Sequence, residues 1–299
     1  MKILVTGGTV FVSKYVAEYF TKKGHQVYVL NRNSRPQVEG VTLIEADRNN
    51  LGDILKSASF DAILDVNAYT EQDVKNLLDS GVTFRDYVLI SSSAVYPEYG
   101  QQPFVEEEAL AENKFWGNYG TNKIRAEHIL QERVSNAYIL RPAYLYGIYD
   151  NIYREAFVFD CAREDRKFYL PEDGSLKLQF FHVEDLCRFI ELLLEKKPEQ
   201  RIYNMGNERA ISIKDWVRLC YLVAGKEVEF VEVKKEVGWR KYFSFTNYQY
   251  YLDVQKQSAL LPDTKELEVG LREAYSWYVE HEDEVMKRPY ITFIDENLR

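Results

Sequence analysis

Short apolar runs alternate with amphipathic stretches along the first ninety residues. Ile3-Leu4-Val5 is apolar and breaks at Gly7-Gly8. From Phe11 the period changes. Val12, Tyr15, Val16, Tyr19 and Phe20 fall on one helical face, which predicts a helix running to Lys23 and closed by Gly24. Gln26–Leu30, Val41–Ala46, Ala62–Val66 and Tyr87–Ile90 are β-rich runs, and Gln72–Leu78 reads as a short helix before the last of them. This alternation predicts an α/β fold, a doubly wound parallel sheet of Rossmann-like type with right-handed crossovers. Beyond residue 110 the pattern predicts a helix through Tyr119–Leu130, a strand at Lys177–Phe181 and a helix from His182 to Leu194. Ser212, with Asp215 three residues on, caps a helix to Val223; Glu227–Val233 alternates as a strand; Val269–Val279 closes the chain as an amphipathic helix.

In such a sheet, ligands sit beyond the carboxyl ends of the strands. The glycine turn at the first of these ends leads into a helix N-terminus, whose free N–H groups and positive dipole end suit a pyrophosphate. Gly7, Thr9, Val10, Phe11 and Val12 are therefore the expected dinucleotide loop. A regular G-x-x-G-x-x-G spacing would put glycines at 7, 10 and 13, but Val10 and Ser13 hold the last two places. That leaves open whether the loop still grips a pyrophosphate. The second strand ends in Asn31-Arg32-Asn33-Ser34-Arg35. An acid there would read the ribose of NAD. Asn31, Arg32 and Arg35 tilt the expectation from NAD towards the 2′-phosphate of NADP, with a solvated polar loop as the alternative. Asp47 and Arg48 end the third strand, where Asp47 either accepts from the adenine amino group or caps the next helix. Asn67 and Ala68 end the fourth. Residues 1–150 are thus expected to form a dinucleotide-binding domain. Residues 151–299 form a smaller substrate lobe, from which 176–207 returns to the sheet.

Composition narrows the partners. The 299 residues are 46% hydrophobic, enough for one large domain or a domain plus a lobe, and the formal charge is −9. An acidic chain gains little from phosphate contacts, so no nucleic-acid partner is expected. Cys161, Cys187 and Cys220 are far apart and odd in number, which argues against a disulfide framework and against a zinc site. No metal is expected, no apolar stretch is long enough for a membrane span, and a cytoplasmic location fits.

Tyr119 and Lys123 are four residues apart and share a helical face. A tyrosine at its ordinary pKa of about 10 is a poor acid or base at neutral pH, and an adjacent ammonium favours the phenolate. With a serine hydroxyl from a strand end to hold the substrate oxygen, these groups make a proton-transfer site for an alcohol–ketone couple, given a hydride carrier alongside.

At this point the chain resembles the extended short-chain dehydrogenase/reductase family of NAD(P)-dependent epimerase/dehydratase type. The resemblance rests on Thr6-Gly7-Gly8-Thr9, Ser91-Ser92-Ser93-Ala94-Val95-Tyr96, Tyr119-x-x-x-Lys123, Leu140-Arg141-Pro142-Ala143-Tyr144-Leu145-Tyr146-Gly147, Phe181-His182-Val183-Glu184-Asp185-Leu186 and Tyr203-Asn204-Met205-Gly206-Asn207, in the family's order. It implies that Tyr119 is the catalytic acid/base, that Lys123 lowers its pKa and holds the nicotinamide ribose, and that Ser92 is the catalytic serine, with Ser93 the fallback and a substrate contact. It also implies that Pro142 lies by the nicotinamide, that the substrate is a small hydroxyl/keto compound such as a nucleotide sugar, and that a homodimer is possible. Ala94 stands where family dehydratases carry an Asp-Glu pair, which favours epimerisation or reduction over dehydration. The connection from Asn67 to Tyr87 is shorter than the family's usual helix there, which weakens the expectation of a dimer through that face. Arg240, in Gly238-Trp239-Arg240-Lys241-Tyr242, is the candidate for a substrate phosphate, with a solvated surface arginine as the alternative. His182 reads as a structural hydrogen-bonder. Two other readings stand beside the enzyme: a nucleotide-sensing protein without turnover, motivated by Val10 and Ser13, and an RNA-associated member, disfavoured by the acidic balance.

Overall fold

The computed structural model describes residues 1–234 and 236–298. The first strands and helices are β1 (Lys2–Thr6), α1 (Phe11–Lys22), β2 (Gln26–Asn31), β3 (Thr42–Glu45), β4 (Ser59–Asp65), α2 (Glu71–Asp79), β5 (Thr83–Ile90), α3 (Asn118–Arg133) and β6 (Tyr138–Pro142). There follow β7 (Tyr144–Tyr146), α4 (Glu155–Arg163), β8 (Phe168–Pro171), β9 (Lys177–Leu178), β10 (Phe180–His182), α5 (Val183–Lys196), β11 (Ile202–Met205), β12 (Ile211–Ser212), α6 (Ile213–Val223), β13 (Phe230–Val233), α7 (Gln255–Leu260), α8 (Leu267–Glu280) and α9 (Tyr290–Asn297). The main sheet is seven-stranded, in the order β11-β6-β5-β4-β1-β2-β3, and its pairs are parallel. Strand order reverses beside β1, the place where a doubly wound sheet opens a crevice.

Both faces of the sheet are covered, which explains why β1 and β4 are continuous apolar runs rather than alternating ones. One core joins Val16, Ala17 and Phe20 of α1 to Leu186, Ile190 and Leu193 of α5 over Ile3, Val5 and Leu64. The other packs Val74 and Leu77 of α2 and Ala126 and Leu130 of α3 against Leu4, Ile63 and Leu89. β11 extends the sheet beyond β6, pairing with it in parallel, whereas β9 and β10 pair in two-stranded sheets outside it. The lobe has its own core of α4, α6 and α8 around Trp216, Phe157 and Tyr278.

The elements differ from expectation in three places. Lys177–Phe181 splits into β9 and β10 at Gln179, whose buried amide bonds Asn207 O and Leu252 N–H, so that it braces the lobe tail instead of continuing one ladder. Glu227–Val233 is a strand only from Phe230, paired to β8. Asp47 caps no helix; its carboxylate accepts from Asn49 N–H in a tight turn.

Charge is buried at several places. Under the strand ends, Glu127 of α3 pairs with Arg141 of β6 at 2.6 Å, and Arg141 also donates to the Tyr96 hydroxyl and to Glu106 O. Ser91 donates to the same Glu127 carboxylate. In the lobe, Arg154 donates to Asp150 Oδ2 at 2.8 Å, and Ile152 N–H donates to the other Asp150 oxygen. Glu155 is 4% exposed and neither of its oxygens meets a donor. Burial raises both carboxyls of this pair; the Asp150 charge pushes Glu155 further, up to about 8, while Arg154 and Ile152 N–H favour the ionised form of Asp150.

Above the ordinary glutamate range the unfolded chain releases the Glu155 proton while the folded chain keeps it, so stability falls as pH rises towards about 8. Glu155→Gln removes that dependence. Urea unfolding is expected to show the variant gaining on the wild type from pH 5 to pH 8, by up to about 1.4 kcal/mol per pH unit. An advantage that stays constant with pH would contradict the assignment.

Candidate functional site

A cleft of about 880 Å³ runs along the carboxyl ends of the strands and is roofed by the lobe. Gly7 (φ +91°) and Gly8 (φ +96°) make the turn out of β1, a conformation that L side chains rarely adopt. Val10 precedes α1 in extended backbone (φ −137°), which any residue adopts, so a valine there carries no strain. Ser13 sits over Gly7. A Cβ on Gly7 would lie 2.8 Å from its hydroxyl oxygen, and that hydroxyl donates to Val10 O at 2.9 Å. The two departures from the glycine pattern therefore brace each other across the first turn. No side chain caps α1, so its first N–H groups remain for an anion. Thr9, Val10, Phe11 and Val12 line the cleft with Gly7.

The adenosine end is less uniform. Arg32 and Arg35 line the cleft, are exposed, and have no partner for their guanidinium groups among the described residues. Asn31 also lines it, but its amide is committed: Nδ2 donates to Gly7 O at 2.7 Å and to Gln37. Asn31 thus ties β2 to the glycine turn. Arg48 reaches the floor of the cleft with all five N–H groups engaged, on both Asp65 oxygens, twice on Asp73 O, and on Asn67 Oδ1. Burial alone would raise the Asp65 carboxyl; the Arg48 guanidinium, with hydrogen bonds from Arg48, Tyr87 and Thr6, holds it below the usual range. Arg48 is therefore a structural cation that fixes Asn67, with no donor left for a ligand. Asp47 and Asn67 line the cleft, whereas Ala68 is fully buried and offers only its carbonyl to Lys123.

At the reaction end, Ser92 closes β5 and its hydroxyl accepts from Ala94 N–H at 3.2 Å. Tyr119 stands in the first turn of α3. The following Gly120 permits the approach, because a Cβ there would be 2.5 Å from Ala94 O. Tyr119 is 42% exposed and lines the cleft with Ser92, Ser93, Lys123 and Pro142. Desolvation by the cleft walls raises its phenol above the ordinary value, while the Ser92 hydroxyl and the Arg154 charge work the other way. Lys123 is 2% exposed; its ammonium donates to Ala68 O at 2.7 Å and Ile90 O at 2.8 Å, leaving one N–H. Burial brings its pKa down to about 8 against the pull of Asp65 and Glu127.

Arg240 does not line the cleft; it is exposed on a turn of the lobe. The lobe side consists of Trp116, Tyr144 and Tyr250, with ring centroids 5.4 to 6.3 Å apart, and of Arg154. Sequence reasoning named none of these as site residues. Tyr144 stands two residues after Pro142, and Arg154 falls in the aromatic, charged stretch at the start of the lobe, which were the available signals.

A family model described as the NAD dependent epimerase/dehydratase family matches residues 3–206. The chain is 26% identical over 300 residues to the "Chloroplast stem-loop binding protein of 41 kDa b" of Arabidopsis thaliana, covering 92% of this chain and 78% of that protein. It is 26% identical over 284 residues to a UDP-glucose 4-epimerase of Corynebacterium glutamicum, covering 80% and 85%. Among solved structures, the UDP-glucuronic acid 4-epimerase of Bacillus cereus, in complex with UDP-glucuronic acid and NAD, shares the fold at a TM-score of 0.73 and 20% identity, over 94% of this chain and 99% of that one. No helix among the described residues is long and apolar enough to cross a membrane. With a family match over more than half its length and the matching seven-stranded fold, the chain belongs to the NAD-dependent epimerase/dehydratase family.

Proposed function

We propose that the protein is an NAD(P)-dependent epimerase or reductase acting on the hydroxyl/keto carbon of a sugar carried on a nucleotide. The observation that carries the reading is the convergence of Ser92, Tyr119 and Lys123 on one cleft whose other end is the uncapped α1 N-terminus. The donor set suits a dinucleotide: free first-turn N–H groups for a pyrophosphate and two unpartnered cations, Arg32 and Arg35, at the adenosine end, which favours NADP slightly over NAD. Solved complexes of a UDP-glucuronic acid 4-epimerase of this fold contain NAD.

A nicotinamide dinucleotide bound here supplies or accepts the hydride. Tyr119 gives or takes the proton on the substrate oxygen. Ser92 holds that oxygen, and its hydroxyl already eases ionisation of the phenol. Lys123 turns its remaining N–H towards the cleft and keeps a positive charge at the ribose side. Ala94 supplies no carboxylate for elimination of water, so the substrate keeps its hydroxyl. With that cofactor held, an epimerase would return the hydride to the other face of the ketone, and a reductase would release the alcohol.

A second reading, binding of structured RNA, is supported by the likeness to the stem-loop binding relative and opposed by the net charge of −9. Retention of a stem-loop RNA that weakens steeply between 50 and 200 mM salt supports it. No retention removes it.

Turnover followed by proton NMR with UDP-glucose and UDP-glucuronic acid in the presence of NAD or NADP tests the lead reading. Tyr119→Phe is expected to lower kcat by about 10²–10⁴-fold with cofactor affinity kept. Unchanged turnover would contradict the assignment. Cofactor bound without turnover on any sugar would favour a sensing protein.

Cofactor affinity is expected to fall as pH rises through about 8, where Lys123 loses its proton, and Lys123→Met should flatten that profile. The same pH dependence in the variant would move the effect elsewhere.

A further inference from the structure

Arg154 is the one cation that the lobe contributes to the lining of the cleft, among the described residues. It is nine-tenths buried, with 9% of its surface exposed. Nη2 is committed to Leu145 O at 2.9 Å and Asp150 Oδ2 at 2.8 Å. Among the described residues Nε is buried with no acceptor, whereas Nη1 makes no hydrogen bond and is not among the fully buried atoms, so it is the edge of the guanidinium left open. An unmet buried donor on a charged group is costly and calls for a partner. The surroundings hold the charge in place. Asp150 neutralises it, Glu155 stays protonated behind it, and Tyr144 presents its ring 5.6 Å from the guanidinium carbon.

The placement says which part of a substrate meets it. Tyr144 packs on Trp116 and Tyr250, and those rings line the cleft with Ser92 and Tyr119. Tyr119 N–H donates to Trp116 O at 3.1 Å, which sets the reacting tyrosine against this aromatic wall. An acceptor for Arg154 therefore lies on the reacting sugar, beside the carbon that Tyr119 serves, and not at the remote nucleoside. Aromatic rings suit the apolar face of a pyranose, and a guanidinium suits a carboxylate or a phosphate.

Resting on the oxidoreductase reading above, we propose that the substrate sugar itself carries an anionic oxygen group, a carboxylate or a phosphate, and that Arg154 is the residue that selects for it.

The test is calorimetric titration of the full chain, with and without saturating NAD, using two matched pairs: UDP-glucuronic acid against UDP-glucose, and glucose 6-phosphate against glucose. The anionic member of at least one pair is expected to bind about tenfold or more tightly. Arg154→Gln should abolish that preference while NAD affinity stays unchanged, and Arg154→Lys should keep part of it. The two pairs separate a carboxylate from a phosphate. The proposal is overturned if no pair shows a preference in the wild type. It is also overturned if Arg154→Gln keeps the preference, or if it weakens UDP-glucose and UDP-glucuronic acid equally, which would put Arg154 on the diphosphate. NAD titration reports separately on the cofactor reading, and the wild-type comparison stands even where a variant fails to fold.

Discussion

A carboxylate with no access to water sits at the end of β4, and the cleft is built around its neutralisation. Asp65 is fully buried and accepts from Arg48 through both oxygens, from Thr6 at the end of β1, and from Tyr87 in β5. Left alone, such a charge would be heavily penalised. Removing one partner of a buried pair typically costs about 3–5 kcal/mol. Paired, it locks three neighbouring strand ends together. Arg48 carries the effect outward by holding Asn67 and the Asp73 carbonyl, so the end of β4 and the start of α2 have one position relative to the glycine turn.

The second buried pair does the same for the reaction end. Glu127 and Arg141 join α3 to β6, and Ser91 donates into the same carboxylate from the end of β5. Tyr119 and Lys123 ride on that helix. Lys123 then closes the gap between the two halves by donating to Ala68 O after β4 and Ile90 O at the end of β5. Burial pulls this amine, which replaces water with two carbonyls, down to about 8. Rigidity at the strand ends and a tunable charge in the cleft thus come from the same contacts.

Much of this was legible in the sequence, because it is local. The apolar runs, Gly7-Gly8 and the Tyr119/Lys123 spacing are each set by residues a few positions apart, and the strand ends they mark converge by topology. The parts that sequence reasoning misplaced depend on partners distant in sequence. Arg48 looked available for a cofactor until Asp65 and Asp73 were seen to take all its donors. Asn31 looked like a ribose contact until it met Gly7 O. The lobe wall brings Trp116, Tyr144 and Tyr250 together from three separate segments, and no period in the chain announces that. Val10 and Ser13, two flaws when read as a pattern, meet in the structure, where the Ser13 hydroxyl donates to the Val10 carbonyl.

The central claim is that this altered loop still holds a dinucleotide. Calorimetric titration of NAD and NADP into the purified chain tests it most directly. Saturable one-to-one binding of at least one of them is expected, weakened when Gly7 is replaced by valine, which must push Ser13 away. Absence of saturable binding of either cofactor at millimolar concentration would contradict it.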